Sequence, residues 1–248
     1  MHQALSNSPA SCTRASARPC RVHASMRIIM SSRVAIAIGL ATLAGLAPQA
    51  ALAQTVRTWN VTSGTFSTTT SWLGGTAPTA SDIASFSGTA VGSSDVTALL
   101  GGNPSVLGLS FNSTGATTVR SASTTGRTIT TGTGGITINS GAGAVTIGVT
   151  GSMASLILNG TQTFTNNSTS LLSILGTVNT TGAVGSDLTI AGSGSTTLSG
   201  IISGAAGRVI SVRKQGTGVL TLSGANTYTG GFVLEAGTVV IGAAGALG

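Results

Sequence analysis

The 248-residue chain has a formal net charge of +7, but Arg14, Arg18, Arg21, Arg27 and Arg33 all precede residue 54; beyond it Arg57, Arg120, Arg127, Arg208, Arg213 and Lys214 stand against Asp82, Asp95, Asp187 and Glu235, a balance of +2. His2, Cys12, Cys20 and His23 also lie in the first 25 residues, so the remainder excludes a disulfide framework, a Cys/His zinc site, a thiol nucleophile and a histidine general base. With 6% charged and 3% aromatic residues and an abundance of Gly, Ser, Thr, Ala and Val, the composition suits short strands and tight turns, and fits neither an ordinary enzyme nor a charge-rich disordered tail.

Residues 1–53 read as leader and signal peptide. Val34 to Ala47 form an uncharged apolar run preceded by Arg27 and Arg33, and Ala51-Leu52-Ala53 supplies an A-x-A cleavage site ahead of Gln54. An uncleaved anchor is the rival reading, but the run is shorter than the ~20 residues of a spanning helix. The polar stretch before Met26 is not an ordinary signal-peptide start. Initiation at Met26 gives a conventional one, and an extended signal peptide is the alternative.

Residues 54–100 are expected to form an N-terminal cap and first coils, with Trp59, Phe66, Trp72 and Phe86 covering the end of the stack. From Gln54 onward the chain carries no helical periodicity, and residues 101–248 read as the solenoid passenger segment. Short apolar alternations recur instead: Ile136–Ile138, Val145–Ile147, Leu156–Leu158, Leu188–Ile190, Thr196–Leu198, Val219–Leu222 and Thr238–Ile241. Their spacing of about 8 to 12 residues suits a sandwich or a solenoid. The similarity of the strands and the scarcity of large aromatics favour an all-β parallel solenoid, in which small aliphatic residues stack coil on coil and Gly, Asn, Ser and Thr make the corners. Alternation directs Leu220 and Leu222 inward, Thr221 and Ser223 outward, and Leu234, Val239 and Ile241 inward on later strands.

Residues 216–248 resemble the autotransporter-associated β-strand repeat, also called the passenger-associated transport repeat. The resemblance rests on Gly218, Leu220, Leu222, Gly224, Asn226, Tyr228, Gly230, Gly231, Ala236, Gly237, Thr238 and Gly242, with Leu198 to Gly204 similar to the usual lead-in. The stretch from Thr58 through Trp72, Pro78, Asp82 and Phe86 is similar to the opening of such passengers, with Phe66 where a second Trp is usual. Between about residues 100 and 195 the likeness is only the Thr/Gly/aliphatic pattern. The resemblance implies a right-handed parallel β-helix, exported through the inner membrane of a Gram-negative cell and displayed outside the outer membrane. The sequence ends at Gly248 without the alternating ~10-residue segments of a translocator barrel. A truncated or split gene, or a barrel supplied in trans, is the corresponding expectation.

No catalytic, cofactor-binding or metal residue is assigned. A Ser-His-Asp protease lacks its histidine, and a β-helix polysaccharide lyase or hydrolase needs a carboxylate cluster that four scattered acids are not expected to form. Asp82 reads as a turn cap and Glu235 as a solvated rim residue. Arg208, Arg213 and Lys214 form a local basic group that could meet lipopolysaccharide or an acidic polysaccharide, or be a solvated loop. It is too small and too poor in aromatics for nucleic acid. The sequons at Asn60, Asn112, Asn159, Asn166, Asn167 and Asn179 are attributed to composition. The chain is thus expected to be a non-enzymatic structural or adhesive scaffold without cofactors. Its expected partners are a cell surface or polysaccharide, a translocator in trans, and a second copy through an uncapped last coil.

Overall fold

The computed structural model describes residues 54–87, 92–180, 186–204 and 210–248. The proposed signal run, Ala51 and Ala53 lie outside them. From Thr55 onward the described residues form 19 short strands and one three-residue 3-10 helix, Thr69–Ser71. Every pairing between strands is parallel, so each coil lays its strands on those of the coil before it. The result is an all-β parallel solenoid.

One sheet stacks eight strands in chain order: Ser63–Thr65, Val96–Leu100, Thr117–Ser121, Val145–Ile147, Leu172–Ile174, Thr196–Leu198, Val219–Leu222 and Thr238–Ile241. The other runs through Thr55–Thr58, Asp82–Phe86, Ser105–Phe111, Arg127–Ile138, Gln162–Asn166, Leu188–Ala191, Val212–Lys214 and Phe232–Leu234. A branch leaves the second sheet at Arg127–Ile138. The first part of that strand pairs with Ala154–Leu158, followed by Val178–Thr180 and Ile202–Ser203, while its last residues pair with Gln162–Asn166. Glycine makes the bend possible: Gly135 has φ +59°, and a Cβ on Gly134 would stand 2.8 Å from the Leu107 carbonyl oxygen. The next three coils each carry three strands. Leu172, Thr196 and Leu220 then sit over one another at a constant 24-residue interval.

The core consists of columns. Ile147, Ile174, Leu198 and Leu222 stack in one sheet, and Leu109, Ile136, Phe164 and Ile190 in the other; all are buried. Three- to five-residue alternation suffices for such strands, because one or two inward side chains per strand meet their own kind above and below. All seven strand segments read from the sequence fall within observed strands. Near the start, Trp59, Phe66, Trp72 and Phe86 form one buried cluster. Trp72 stands edge-on to Trp59 at 5.0 Å, its indole N–H donates to the Phe66 carbonyl at 2.7 Å, and Phe86 stacks on Phe111 at 5.0 Å. Residues 71–73 lie antiparallel against 58–60, with the Leu73 amide donating to the Thr58 carbonyl at 2.7 Å and Asn60 to Ser71 at 2.8 Å.

Candidate functional site

Two surfaces and one set of buried polar groups set this solenoid apart from a plain stack of aliphatic coils. The first surface is the outer side of the eight-stranded sheet. The register places Thr97, Thr118, Thr146, Ser173, Thr197 and Thr221 directly over one another. At the ~4.8 Å spacing of paired strands this makes a continuous column of hydroxyl side chains. Ser110, Thr137 and Thr165 form a shorter one on the second sheet. Both columns offer hydrogen bonds without formal charge.

The second surface is the C-terminal end of the stack. Leu220 and Leu222 are buried as their alternation predicts, and Val239 and Ile241 lie over them in register. Leu234 and Ile241 are nevertheless each 51% exposed, and Val233, Val240 and Leu247 are exposed beside them. The expectation that Leu234 and Ile241 enter the core is therefore corrected. Their columns are right, but among the described residues no coil lies over this last rung. Strands Phe232–Leu234 and Thr238–Ile241 are each paired on one edge only.

The sequence-derived basic group does not survive as a surface cluster. Arg208 lies outside the described residues. Arg213 donates to the Glu235 carboxylate, whose other oxygen accepts from Gln215 at 2.7 Å. These two hydrogen bonds, from Gln215 and then Arg213, hold the Glu235 carboxyl below the usual range. Lys214 is 1% exposed, in the column between Ile190 and Leu234. Its ammonium donates to the carbonyls of Gln215 at 2.6 Å, Gly216 at 2.8 Å and, one coil on, Ala236 at 3.4 Å. Burial pushes the ammonium's pKa down. Val212 points inward, so parity alone would have turned Lys214 inward as well.

Other buried polar side chains do related work between coils. Asn166, one of the sequon residues, donates to Ser170 at 2.9 Å and to Ser195 of the following coil at 2.7 Å, while accepting from the Ser168 amide at 3.0 Å. Asn226 of the repeat accepts from the Ile202 amide of the preceding coil at 2.8 Å and donates to the Ala246 carbonyl at 2.6 Å. Gln162 and Thr131 bond each other reciprocally inside the bend. Tyr228 is buried at a corner, its ring where a Cβ on Gly248 would touch it at 3.0 Å, and burial raises its hydroxyl to about 12. Among the glycines of the signature, Gly231 (φ +83°) and Gly237 (φ +82°) hold left-handed corners, and Gly218, Gly224, Gly230 and Gly242 lie against backbone of the coil below. Ala236 contributes its carbonyl to Lys214.

Three of the four carboxylates, Asp82, Asp95 and Glu235, occupy separate structural roles. Asp82 accepts from the Thr79 amide at 2.8 Å and hydroxyl at 2.7 Å and stands 3.6 Å from Arg57. Burial works to raise its carboxyl, but these partners bring the pKa below the ordinary value. Asp95 accepts from the Ala116 amide at 2.9 Å, and Glu235 bonds Arg213 and Gln215. Among the described residues no three of His, Cys, Asp and Glu group as metal ligands, and no helix is long and apolar enough to cross a membrane.

Comparison with curated proteins and with solved structures returned no match. A family model does match. It spans the strand bearing Arg213 and Lys214, the corner bearing Asn226 and Tyr228, and the last two strands, so it contains most of the inter-coil contacts just described and begins four residues earlier than the stretch singled out from sequence. Residues 212–241 match the family model described as the passenger-associated-transport-repeat, and they lie in the last coils of a parallel β-solenoid.

Proposed function

We propose that the chain is an exported structural scaffold, a passenger segment of the autotransporter type that presents its hydroxyl-rich faces outside the cell. The observation that carries this reading is the transport repeat at 212–241, continuous in register with the coils before it. A solenoid suits such a role, because short-range contacts let it lengthen without a larger core and leave long flat faces to solvent. The uncharged Thr and Ser columns favour weak, multiple contacts with hydroxyl-rich polymers such as polysaccharides over nucleic acid. The scaffold is non-catalytic in this reading, and a translocator barrel carries it across the outer membrane.

Protease shaving of intact host cells, with mass spectrometry of the shaved peptides and of the culture medium, tests this proposal. Peptides beginning at Gln54 at the surface or in the medium are the expected result. Confinement to the periplasm would overturn display, and confinement to the cytoplasm would overturn export.

A further inference from the structure

Lys214 is a cation placed where the column above and below it is aliphatic. Its neighbours in register are Ile190 and Leu234, and the same column continues down through Phe164 and Ile136. Among the described residues no carboxylate meets its ammonium. Strand Leu188–Ala191 on one side carries no ionisable residue, Glu235 on the other is held by Arg213 and Gln215, and the ammonium's three hydrogen bonds all go to backbone carbonyls. Two of these belong to its own corner and the third, from Ala236, to the coil laid on top. Gly237 completes the fit. It has φ +82°, and a Cβ there would stand 2.9 Å from the ammonium nitrogen and 2.5 Å from the Gly216 oxygen.

We propose that Lys214 selects the register in which the following coil docks, by accepting above it only a corner that brings a free carbonyl to the ammonium and a glycine over it, here Ala236-Gly237. The proposal rests on the stacked geometry of the repeat and not on where the protein is displayed. Alternation alone does not make this choice. Sliding strand Thr238–Ile241 by two residues, so that Thr238 meets Thr221, would keep the same faces inward, with Val239 over Leu222 and Ile241 over Gly224. A buried ammonium left without its carbonyl penalises that slip. The pH dependence has a definite sign. The folded pKa of Lys214 lies below 10.5, so burial of the charge costs stability at neutral pH, and that cost is relieved as pH rises from the folded pKa towards 10.5. A group that lowers stability while making directional bonds acts as a selector of structure, the role best attested for buried polar residues.

The test uses the full chain with Cys12 and Cys20 replaced by serine, and cysteine pairs that report register. Thr221 and Val240 are partners across the last two rungs. Thr221→Cys with Val240→Cys reports the observed register, and Thr221→Cys with Thr238→Cys reports a two-residue slip. With Lys214 present, disulfide formation is expected in the first pair and at least tenfold less in the second. Combined with Lys214→Met, the two pairs are expected to cross-link to comparable extents. Amide exchange of residues 232–242 should lose its alkaline strengthening in Lys214→Met and keep it in Arg213→Gln. Retention of the exclusive Thr221/Val240 cross-link in Lys214→Met would overturn the proposal. So would loss of both cross-links with free exchange across 232–242, which would make Lys214 a stabiliser of the coil instead of a selector.

Discussion

Truncating the same side chain in the middle and at the end of one stack should have sharply different consequences. Ile174 is fully buried with Ile147 below it and Leu198 above, whereas Ile241 rests on Leu222 and is 51% exposed. Ile174→Ala removes three carbon atoms from a closed column, so both the transfer and the cavity contributions apply, for about 3 kcal/mol. Ile241→Ala loses roughly half the transfer contribution and opens no closed cavity, for about 1 kcal/mol. Urea unfolding followed by circular dichroism gives the two differences, and native-state hydrogen exchange shows where each is felt. The Ile174 variant should weaken protection in the flanking rungs, Val145–Ile147 and Thr196–Leu198, far more than in Asp82–Phe86. Equal losses for the two variants, or a uniform loss of protection along the chain, would refute the column picture and the open last rung.

Three further outcomes follow from particular contacts. A Cβ on Gly176 would collide with the Ala154 backbone, whereas Gly141 has φ +81° and open space around it. Thermal unfolding should therefore find Gly176→Ala destabilised by about 3 kcal/mol or more and Gly141→Ala by about 1 kcal/mol, the cost of strain alone. Asn226→Ala leaves the Ile202 amide and the Ala246 carbonyl without their partner, and should cost about 2 to 3 kcal/mol and raise amide exchange at Ile202. Because the folded pKa of Asp82 is depressed, its contribution is present above the ordinary value of 3.8 and is lost as pH falls through the lower folded value. Acid titration followed by the fluorescence of Trp59 and Trp72 should show that transition in the native protein. Asp82→Asn should remove the carboxylate's share of it.

Strand identity was readable because it is local. Val145-Thr-Ile147 and Thr196-Thr-Leu198 carry their inward and outward faces in three residues, and small residues bound them: Ala144 and Gly148, Ser195 and Ser199. Strands such as Gln162–Asn166 and Val212–Lys214 are harder to read, since polar side chains point into the interior and satisfy carbonyls or amides of a neighbouring coil. That partnership spans 20 or more residues and leaves no periodic signature. The repeat signature was legible in its glycines, Asn226 and Tyr228, but Lys214 was read with Arg208 and Arg213 as surface charge. The parity of Val212-Arg213-Lys214 contradicts that reading. The bend inside Arg127–Ile138, which turns a two-sheet stack into three-sided coils, depends on how Gly134 and Gly135 meet Leu107 and Thr163 in neighbouring coils. Composition alone marks only a Gly-rich turn there.

The most direct measurement is disulfide mapping along the hydroxyl column. With Cys12 and Cys20 replaced by serine, cysteine pairs are placed at Thr146 and Ser173, at Ser173 and Thr197, and at Thr197 and Thr221, all partners in adjacent coils. Their Cα atoms are ~4.8 Å apart, within disulfide range, while Thr146 and Thr197, two coils apart, are separated by roughly twice that distance. Parallel stacking predicts efficient oxidation of all three adjacent pairs and none of the Thr146/Thr197 pair. Failure of the adjacent pairs, or equal oxidation of the skipped one, would contradict the solenoid on which the scaffold role depends.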